Sequence, residues 1–293
     1  MLFGHLFPMG FRGRAKGSPS TVNERVVAVT GAAGFIGRAC LKALADQDAH
    51  VIAIDKVPGA GSGEWRRVDL RNSRQTAKAL TGATHLIHLA GWPSPNQASA
   101  TQVLSDNTLI ASNVFEAFVT GNAVTAAVAS SVSVYGFAWA PQVQAPDFVP
   151  VTESHPCRPQ DTYSLSKLVL EEICAMWARI SGVTTVALRL PFVSNDEPTR
   201  GNFFDDLSKD PIGETGRRHL WTHLPVDQAA LALVQALNVN DGGAHVLNTG
   251  SPVSLEDWDR GTLIKRCFPS TVVYGANEAQ GFFDTSSAQE LLS

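Results

Sequence analysis

The stretch Thr30-Gly31-Ala32-Ala33-Gly34-Phe35-Ile36-Gly37 follows the β-branched run RVVAVT at 25–30 and opens a helical pattern. A buried strand, a glycine-rich turn and a helix in this order are typical of a dinucleotide-binding unit. Gly31 would permit the tight turn, Gly34 would let the backbone approach a pyrophosphate, and Gly37 would let the helix pack closely on the sheet. The N–H groups at the helix start would then face the phosphates. A plain strand–turn–helix connection is the alternative for the glycines taken alone.

The same alternation of short apolar runs and helical patterns continues along the chain. The apolar runs predict strands at 25–30, 50–55, 65–70, 84–90, 124–130, 184–190 and 244–248. The helical patterns lie at 34–46, 72–81, 100–120, 161–181 and 226–238. Strands that alternate with helices of this length predict an α/β fold with a doubly wound parallel sheet, the Rossmann fold, and right-handed crossovers.

The second half of the chain is less regular than the first. Residues 136–160 hold five prolines, and residues 191–223 are rich in Asn, Asp, Gly and Pro, so both segments predict long loops. We expect a dinucleotide-binding core at 25–190. Residues 191–293 would form a small substrate-binding cap, interleaved with the last strands and helices of the core.

Composition and charge exclude several classes of protein. Hydrophobic residues make up 44% and charged residues 17% of the 293 residues, as is usual for a folded globular chain. The formal net charge of -4 argues against a dedicated nucleic-acid binder. No apolar run approaches the roughly 18 residues needed to cross a bilayer, so we expect no membrane-spanning segment.

The first 24 residues differ in composition from the rest of the chain. Arg12, Arg14 and Lys16 follow an apolar start, and no acidic residue precedes Glu24. A secretory signal carries its charges before the apolar stretch, so this order favours a disordered leader. An organellar presequence, or a later start at Met9, is the alternative.

The cysteines indicate the redox compartment. Cys40, Cys157, Cys174 and Cys267 show no CxxC or Cys/His spacing. This pattern argues against a metal site and against a disulfide framework, and it predicts a reduced, cytoplasmic protein.

Asp55 ends the predicted second strand, 24 residues after Gly31. A carboxylate at this position accepts hydrogen bonds from the adenosine ribose hydroxyls and repels a 2′-phosphate, which predicts NAD as the cofactor. A turn residue without a ligand is the alternative interpretation of Asp55. The neighbouring Lys56 keeps NADP open as a second choice.

The motif Tyr163-Ser164-Leu165-Ser166-Lys167 opens the helical pattern at 161–181 and puts Tyr163 and Lys167 one turn apart on one face. The ammonium, helped by the positive charge of an oxidised nicotinamide, would lower the phenol pKa from its usual value of about 10. Such a tyrosine can take the proton of a substrate hydroxyl while the hydroxyl-bearing carbon loses hydride. Lys167 could also hold the nicotinamide ribose. An ordinary helix start with a solvated lysine is the alternative.

A serine-rich segment, Ser130-Ser131-Val132-Ser133-Val134-Tyr135-Gly136, follows the predicted fifth strand. The carboxyl ends of the strands form the ligand-binding edge of a doubly wound sheet, so a hydroxyl there could orient the reacting oxygen. Serines that bond their own backbone would be the better interpretation if Tyr163 and Lys167 were absent.

Together these motifs resemble the extended short-chain dehydrogenase/reductase superfamily and, within it, the NAD-dependent epimerase/dehydratase family. The resemblance covers residues 25–250. It rests on TGAAGFIG (30–37), Asp55, Asp69-Leu70, HLAG (88–91), Asn107, SSVSVYG (130–136), YSLSK (163–167) and the strand end LRLP (188–191).

The resemblance implies roles for individual residues. Ser131, Tyr163 and Lys167 would be catalytic, and no metal is implied. The implied cofactor-binding residues are Gly31, Gly34, Phe35, Ile36, Gly37, Asp55, Asp69, Leu70, Leu89, Ala90, Gly91, Asn107, Tyr163, Lys167 and Pro191. Among them Asp69 and Leu70 would contact adenine, and Asn107 would anchor the adjacent helix or the cofactor. Substrate contacts are expected at Ser94, Ser133 and Arg200.

Departures from the family pattern narrow the chemistry. Sugar-nucleotide 4,6-dehydratases carry Thr-Asp-Glu where this chain has Ser131-Val132-Ser133, so a dehydratase is disfavoured. The short cap, Arg200 and PVDQAALAL (225–233) are similar to uronate dehydrogenases, but the Ser-Asn-His of that group is Ser-Val-Ser here. Arg200 is predicted to clamp a carboxylate or phosphate. A loop arginine paired with Asp196 or Glu197 is the alternative.

We therefore expect an NAD-dependent oxidoreductase that acts on a secondary alcohol or ketone of a small polar, carbohydrate-like substrate. A sugar-nucleotide epimerase with retained NAD is the alternative within the same fold. A catalytically silent dinucleotide sensor is the alternative from another class. The resemblance also implies a homodimer packed through the helices at 100–120 and 161–181, and we expect neither nucleic acid nor membrane as a partner.

Overall fold

The computed structural model describes residues 25–45, 47–61, 63–195, 202–253, 258–275 and 281–293. The predicted leader at 1–24 therefore lies outside the described residues. The strands are β1 (Val26–Thr30), β2 (His50–Asp55), β3 (Glu64–Arg67), β4 (His85–His88), β5 (Thr125–Ser131), β6 (Phe148–Val149), β7 (Thr184–Leu190), β8 (Phe192–Ser194), β9 (Thr222–Pro225), β10 (Ala244–Asn248), β11 (Ser251–Pro252) and β12 (Val272–Val273). The helices are α1 (Phe35–Leu44), α2 (Ser73–Ala79), α3 (Ala100–Val119), α4 (Thr162–Ser181), α5 (Asn202–Lys209), α6 (Glu214–His219), α7 (Val226–Ala236), α8 (Arg260–Cys267) and α9 (Ser286–Leu292).

The central sheet, within the described ranges, has seven parallel strands in the order β10-β7-β5-β4-β1-β2-β3. From β1 the chain first builds β2 and β3 on one side, then returns to add β4, β5, β7 and β10 on the other. The strand order therefore reverses between β1 and β4, where a doubly wound sheet has its ligand crevice at the carboxyl edge. The predicted doubly wound parallel fold is confirmed.

Helices cover both faces of this sheet. One apolar cluster joins the sheet to α1 and α7 through side chains such as Leu41 and Leu233. A second cluster on the opposite face joins it to α2, α3 and α4 through side chains such as Phe115 and Leu170. The strands between them read as continuous apolar runs because both of their faces are buried. None of the described helices is both long enough and apolar enough to cross a membrane.

The third strand ends earlier than predicted. It was expected at 65–70, but β3 stops at Arg67 and the chain turns at Asp69. The Asp69 carboxylate accepts the N–H of Arg71, two residues further on, at 3.1 Å, and this hydrogen bond closes the turn. The correction matters for the site, because Asp69 and Leu70 then lie on a turn at the carboxyl edge.

The segment 191–223 is not the long loop that its composition predicts. It contains β8, α5, α6 and β9, and β8 pairs in parallel with β9. The aromatic side chains Phe203 and Trp221 are buried in a third apolar cluster with residues of the C-terminal region. Gly and Asp lie at the boundaries of short elements in this segment. In contrast, residues 136–160 form the predicted loop, with β6 as a short strand inside it. The division into core and cap at residue 190 stays a prediction.

Candidate active site

The glycine-rich turn between β1 and α1 forms part of the wall of a cavity of about 670 Å³. Gly31 has a positive φ of 71°, and a Cβ there would lie 2.9 Å from the backbone nitrogen of Ala90. At Gly37 a Cβ would lie 2.2 Å from the carbonyl oxygen of Gly31. The turn therefore needs glycine at both positions, and the free N–H groups at the start of α1 border the cavity. This cradle and a volume within the range of about 300 to 1,000 Å³ fit a dinucleotide phosphate site.

Asp55 lies at the end of β2 and on the cavity wall. Its Oδ2 accepts the Ala33 N–H at 3.0 Å, and its Oδ1 accepts the Val57 N–H at 3.1 Å. The carboxylate thus ties the glycine-rich turn to the second strand while it faces the cavity. The sequence left two interpretations of Asp55, a cofactor-binding carboxylate and a turn residue. In the structure Asp55 stabilises the turn and also lines the cavity. Its contact with the ribose stays a prediction.

Next to Asp55 lies a cluster of charges that the sequence revealed only in part. Arg71 binds Asp69 through two hydrogen bonds, Nε to Oδ1 at 3.0 Å and Nη2 to Oδ2 at 2.7 Å. Asp106 lies 3.4 Å from Arg71 Nη1 and accepts the Trp92 indole N–H at 3.0 Å. The hydrogen bond from Arg71 lowers the pKa of the Asp69 carboxyl. Lys56 Nζ lies 5.0 Å from the Trp92 ring centroid.

Arg71, Trp92 and Asp106 carried no signal in the sequence that distinguished them. They come from the turn after β3, the loop after β4 and the helix α3, and only the fold brings them together. All three line the cavity beside the predicted adenine contacts Asp69 and Leu70.

The loop after β4 forms the next part of the wall, through Leu89, Ala90 and Gly91. The Thr30 hydroxyl oxygen accepts the N–H groups of Leu89 at 3.2 Å and Ala90 at 3.4 Å. It also hydrogen-bonds His88 Nδ1 at 2.8 Å. This loop is therefore held directly against the end of β1.

Asn107 lies behind the wall and supports it. Its Oδ1 accepts the Trp92 N–H at 2.7 Å, and its Nδ2 donates to the Ser166 hydroxyl at 2.9 Å. Ser166 in turn donates to the carbonyl oxygen of Tyr163 at 2.7 Å. Asn107 thus links the β4 loop to the helix that carries Tyr163, and its direct contact with the cofactor stays a prediction.

Ser131, Tyr163 and Lys167 all line the same cavity as the glycine-rich turn. Ser131 ends β5 and accepts the Ser133 N–H at 3.1 Å, while Tyr163 and Lys167 lie in the first turns of α4. Lys167 Nζ donates to the carbonyl oxygen of Ala129 at 2.7 Å and lies 5.6 Å from the Tyr163 ring centroid. The fold therefore brings together three side chains that are distant in sequence: a hydroxyl, a phenol and an ammonium group.

Burial dominates the pKa values of this group. It raises the pKa of Tyr163 to about 12, against the opposing effect of a hydrogen bond with Ser131. It lowers the pKa of Lys167 to about 8, against the opposing effect of the Glu171 carboxylate. The expected lowering of the Tyr163 pKa by Lys167 is thus not produced by the groups of the chain alone. The reason is that burial disfavours both charged forms.

A buried ion pair that the sequence did not indicate lies behind these residues. Glu171 accepts hydrogen bonds from Arg189 Nε at 3.0 Å and Nη2 at 2.8 Å, and both side chains are buried. Ser130 donates to the same carboxylate, and Arg189 Nη1 donates to the Tyr135 hydroxyl at 2.7 Å. Both serines border the cavity, but only the Ser130 hydroxyl reaches Glu171, because successive strand residues point to opposite faces.

The remaining wall is contributed by residues after β5 and β7 and by α6. Of the predicted substrate residues, Ser94 and Ser133 line the cavity, as does the predicted cofactor residue Pro191. Arg200 lies outside the described residues. Trp139, Phe192 and His219 also line this end, although the sequence did not single them out.

Comparisons with known proteins agree with this geometry. The sequence model of the NAD dependent epimerase/dehydratase family matches residues 27–202. GDP-mannose 3,5-epimerase 1 of Oryza sativa subsp. japonica is 28% identical over 166 residues, which are 54% of this chain and 43% of that protein. The chain thus aligns with less than half the length of this relative.

Two further proteins align over more of their length. L-arabinose 1-dehydrogenase (NAD(P)(+)) of Haloferax volcanii is 28% identical over 229 residues, 72% of this chain and 88% of that protein. The solved structure of MoeE5 in complex with UDP-glucuronic acid and NAD is 27% identical, with a TM-score of 0.66, and covers 91% of this chain and 92% of that chain.

Proposed function

The chain belongs to the NAD dependent epimerase/dehydratase family, and we propose that it works there as an NAD-dependent oxidoreductase. It would transfer hydride between nicotinamide and a secondary alcohol or ketone of a small polar, carbohydrate-like substrate. The observation that carries this proposal is the convergence of Ser131, Tyr163 and Lys167 on the cavity that the glycine-rich turn and Asp55 also line.

The chain offers a binding group for each part of the cofactor. The N–H groups at the start of α1 suit the pyrophosphate, Asp55 suits the adenosine ribose, and the turn at Asp69 and Leu70 suits adenine. Lys167 would hold the nicotinamide ribose. Bound NAD⁺ supplies a hydride acceptor and a positive charge near the phenol.

Tyr163 would exchange the substrate proton. In oxidation the hydroxyl proton passes to Tyr163 Oη, the carbon gives up hydride, and the C–O single bond becomes a carbonyl. In reduction each of these transfers runs in reverse. Ser131 would orient the substrate oxygen through its hydroxyl. Because the pKa of Tyr163 is about 12 in the chain alone, oxidation depends on added positive charge to form the phenolate.

One relative supports a free sugar as the substrate. The arabinose dehydrogenase of Haloferax volcanii, whose name states a free sugar, aligns over 88% of its own length. MoeE5, solved with UDP-glucuronic acid, aligns over 92% of its own length, so the extent of alignment does not separate a free sugar from a nucleotide sugar.

A sugar-nucleotide epimerase is the second candidate, favoured by the epimerase activities for which several relatives are named and by the UDP-glucuronic acid complex of MoeE5. An epimerase returns hydride to the same substrate and keeps its cofactor through turnover, whereas a dehydrogenase exchanges it. A tightly bound dinucleotide in the purified protein would favour the epimerase.

We also propose a homodimer in a reduced, cytoplasmic setting. Leu109 on α3 and Met176 and Ile180 on α4 are large apolar side chains exposed to solvent, on the two helices expected to pack across the dimer. The described cysteines are free thiols. Sedimentation that detects only monomer would remove the dimer proposal.

The oxidoreductase proposal is tested with a panel of free sugars, sugar acids, polyols and UDP-sugars, each with NAD and with NADP. The protein is first assayed for bound cofactor. Substrate-dependent NAD reduction that releases NADH is the expected result. Isomerisation without net NAD reduction would replace the oxidoreductase with the epimerase.

A further inference from the structure

Charge is distributed unevenly along the cavity. Most of the charged wall residues that the structure describes lie at the ends of β2 and β3 or on α3, and they are Asp55, Lys56, Asp69, Arg71 and Asp106. We call this part, with the glycine-rich turn, the nucleotide half. The part after β5 and β7 and beside α6 we call the substrate half. Among its described wall residues only Lys167 carries a charge at neutral pH, and Lys167 donates to the Ala129 carbonyl oxygen.

Ser133 is a polar wall residue of the substrate half. Its side-chain oxygen is buried and has no hydrogen-bond partner among the described residues. A buried hydroxyl without a partner is costly, so it marks a place where a ligand group would restore the bond. The family resemblance implied Ser133 as a substrate contact, and its unpaired state appears only in the structure.

His219 adds a second polar group to this wall. Its ring packs edge-on against Phe192 and Phe203, with centroids 5.9 and 5.2 Å apart. Burial, followed by the charge of Arg218, lowers the pKa of His219 to about 4, so the ring is neutral near pH 7. A neutral imidazole offers one donor and one acceptor, which is what a ring hydroxyl needs.

Two aromatic rings complete the substrate half. Trp139 and Phe192 line the cavity and keep 36% and 37% of their surface exposed. Exposed apolar surface within a concave site is usually covered by a ligand. The combination of aromatic faces with uncharged donors and acceptors matches the C–H faces and hydroxyl edges of a sugar ring.

We propose that the substrate half recognises an uncharged sugar, with Ser133 and His219 as specificity-determining hydrogen-bond partners of its hydroxyls and Trp139 and Phe192 as apolar contacts. A uronate or a nucleoside diphosphate sugar would bring a charge into a region whose described wall offers only Lys167 to balance it. The inference rests on the proposed oxidoreductase function, and it names the substrate class of that site.

The first experiment compares neutral sugars with partners in which a carboxylate replaces the C6 hydroxymethyl group. D-glucose, D-galactose and D-mannose are each matched with the corresponding uronate, and UDP-glucose is added as a nucleotide sugar. We expect kcat/KM for at least one neutral aldose to exceed that of its uronate and of UDP-glucose by about tenfold or more. A preference for a uronate or for UDP-glucose overturns the inference, although the former would leave the oxidoreductase standing.

The second experiment removes the two polar groups. Ser133→Ala and His219→Phe should each raise KM for the accepted aldose by about threefold to tenfold, the worth of one hydrogen bond. The NAD dissociation constant should stay within error of wild type, and the melting temperature should not fall, because Ser133→Ala removes an unpaired buried hydroxyl. His50→Phe, at the opposite edge of the sheet, is the matched control and should change nothing. An unchanged KM in both site variants overturns the assignment of these residues.

A binding measurement separates the two proposals if no probe reduces NAD. Saturation-transfer NMR on the NAD-loaded protein compares each aldose with its uronate. Aldose binding that is lost in Ser133→Ala and His219→Phe upholds the substrate class while the oxidoreductase proposal fails. Selective uronate binding, or no aldose binding at all, overturns the inference.

Discussion

The two halves of the cavity treat their polar groups in opposite ways. In the nucleotide half the carboxylates already have partners, because Asp55 accepts two backbone N–H groups and Asp69 binds Arg71 through two hydrogen bonds. In the substrate half the buried Ser133 hydroxyl has no hydrogen-bond partner among the described residues. The carboxylates Asp55 and Asp69 of the nucleotide half thus have their hydrogen-bond partners before a ligand binds, whereas Ser133 in the substrate half does not.

This difference suggests a division of labour between the halves. Groups that are held in place before binding lose little conformational freedom when a ligand arrives, so they suit a part of the ligand that never varies. Unpaired groups gain most from a ligand with the right hydroxyls and reject one that leaves them unpaired. Under the proposed function, cofactor choice would lie in the first half and substrate choice in the second.

The sharpest test of this division is Tyr163→Phe, which removes a proton donor from the substrate half and leaves the nucleotide half intact. Turnover should fall by about 10² to 10⁴, the usual contribution of a positioned general acid or base. NAD affinity and stability should change little, since the ring is kept. Single-turnover kinetics measure the rate, and NAD titration measures the affinity. The exposed Tyr274→Phe is the matched control. More than about a tenth of wild-type kcat would contradict the proton-transfer role.

The buried His88, at the end of β4, should make the stability of the protein depend on pH. Burial and the charge of Lys167 lower its folded-state pKa to about 3, whereas an unfolded histidine has a pKa of about 6.5. The unfolded chain therefore binds the proton first, and stability is lost as pH falls from about 6.5 toward 3.

His88→Asn should flatten this dependence by about 1.4 kcal/mol per pH unit in that window. Urea unfolding at pH 7.0, 6.0 and 5.0 measures the slope. The exposed His50→Asn is the control and should leave the slope near that of wild type. Parallel slopes for His88→Asn and wild type would show that His88 is not held neutral.

Gly37→Ala should damage the nucleotide half selectively. The new Cβ would lie 2.2 Å from the Gly31 carbonyl oxygen, so the turn must move, at a cost of about 1 to 3 kcal/mol. We expect a lower melting temperature and weaker NAD binding. Gly121→Ala meets no atom closer than 3.6 Å and should leave both values near wild type. Normal NAD affinity in Gly37→Ala would argue against the phosphate cradle.

Cofactor choice is the smallest expected effect and also concerns the nucleotide half. Wild type should prefer NAD over NADP by at least roughly tenfold, about 1.4 kcal/mol, because Asp55 would repel a 2′-phosphate. Asp55→Ala should reduce or reverse this ratio, while the exposed Asp48→Ala should not. The ratio of kcat/KM for the two cofactors is the measurement. Equal values in wild type would refute the role of Asp55.

The central sheet and most of its helices could be predicted from the chain alone. The strands β1, β2, β5, β7 and β10 lie within one or two residues of their predicted ends, because buried parallel strands are continuous apolar runs between turn residues. The glycine-rich turn and the Tyr163–Lys167 spacing are equally local, since a single turn or helix defines each. Short elements such as β8 and α6 were missed because three and six residues are too few to show a hydrophobic period.

The sequence by itself determined the fold class and the positions of the glycine-rich turn, Asp55, Ser131, Tyr163 and Lys167, because each depends on a local pattern. Only the tertiary structure decided that Arg71 and Asp106 meet beside Asp69, that Glu171 and Arg189 form a buried pair, and that Ser133 is left without a partner. Those features depend on contacts between strands and helices far apart in sequence. A hydroxyl or carboxylate looks the same in a sequence whether or not the fold supplies its partner, so pairing, burial and pKa emerge only when the chain is folded.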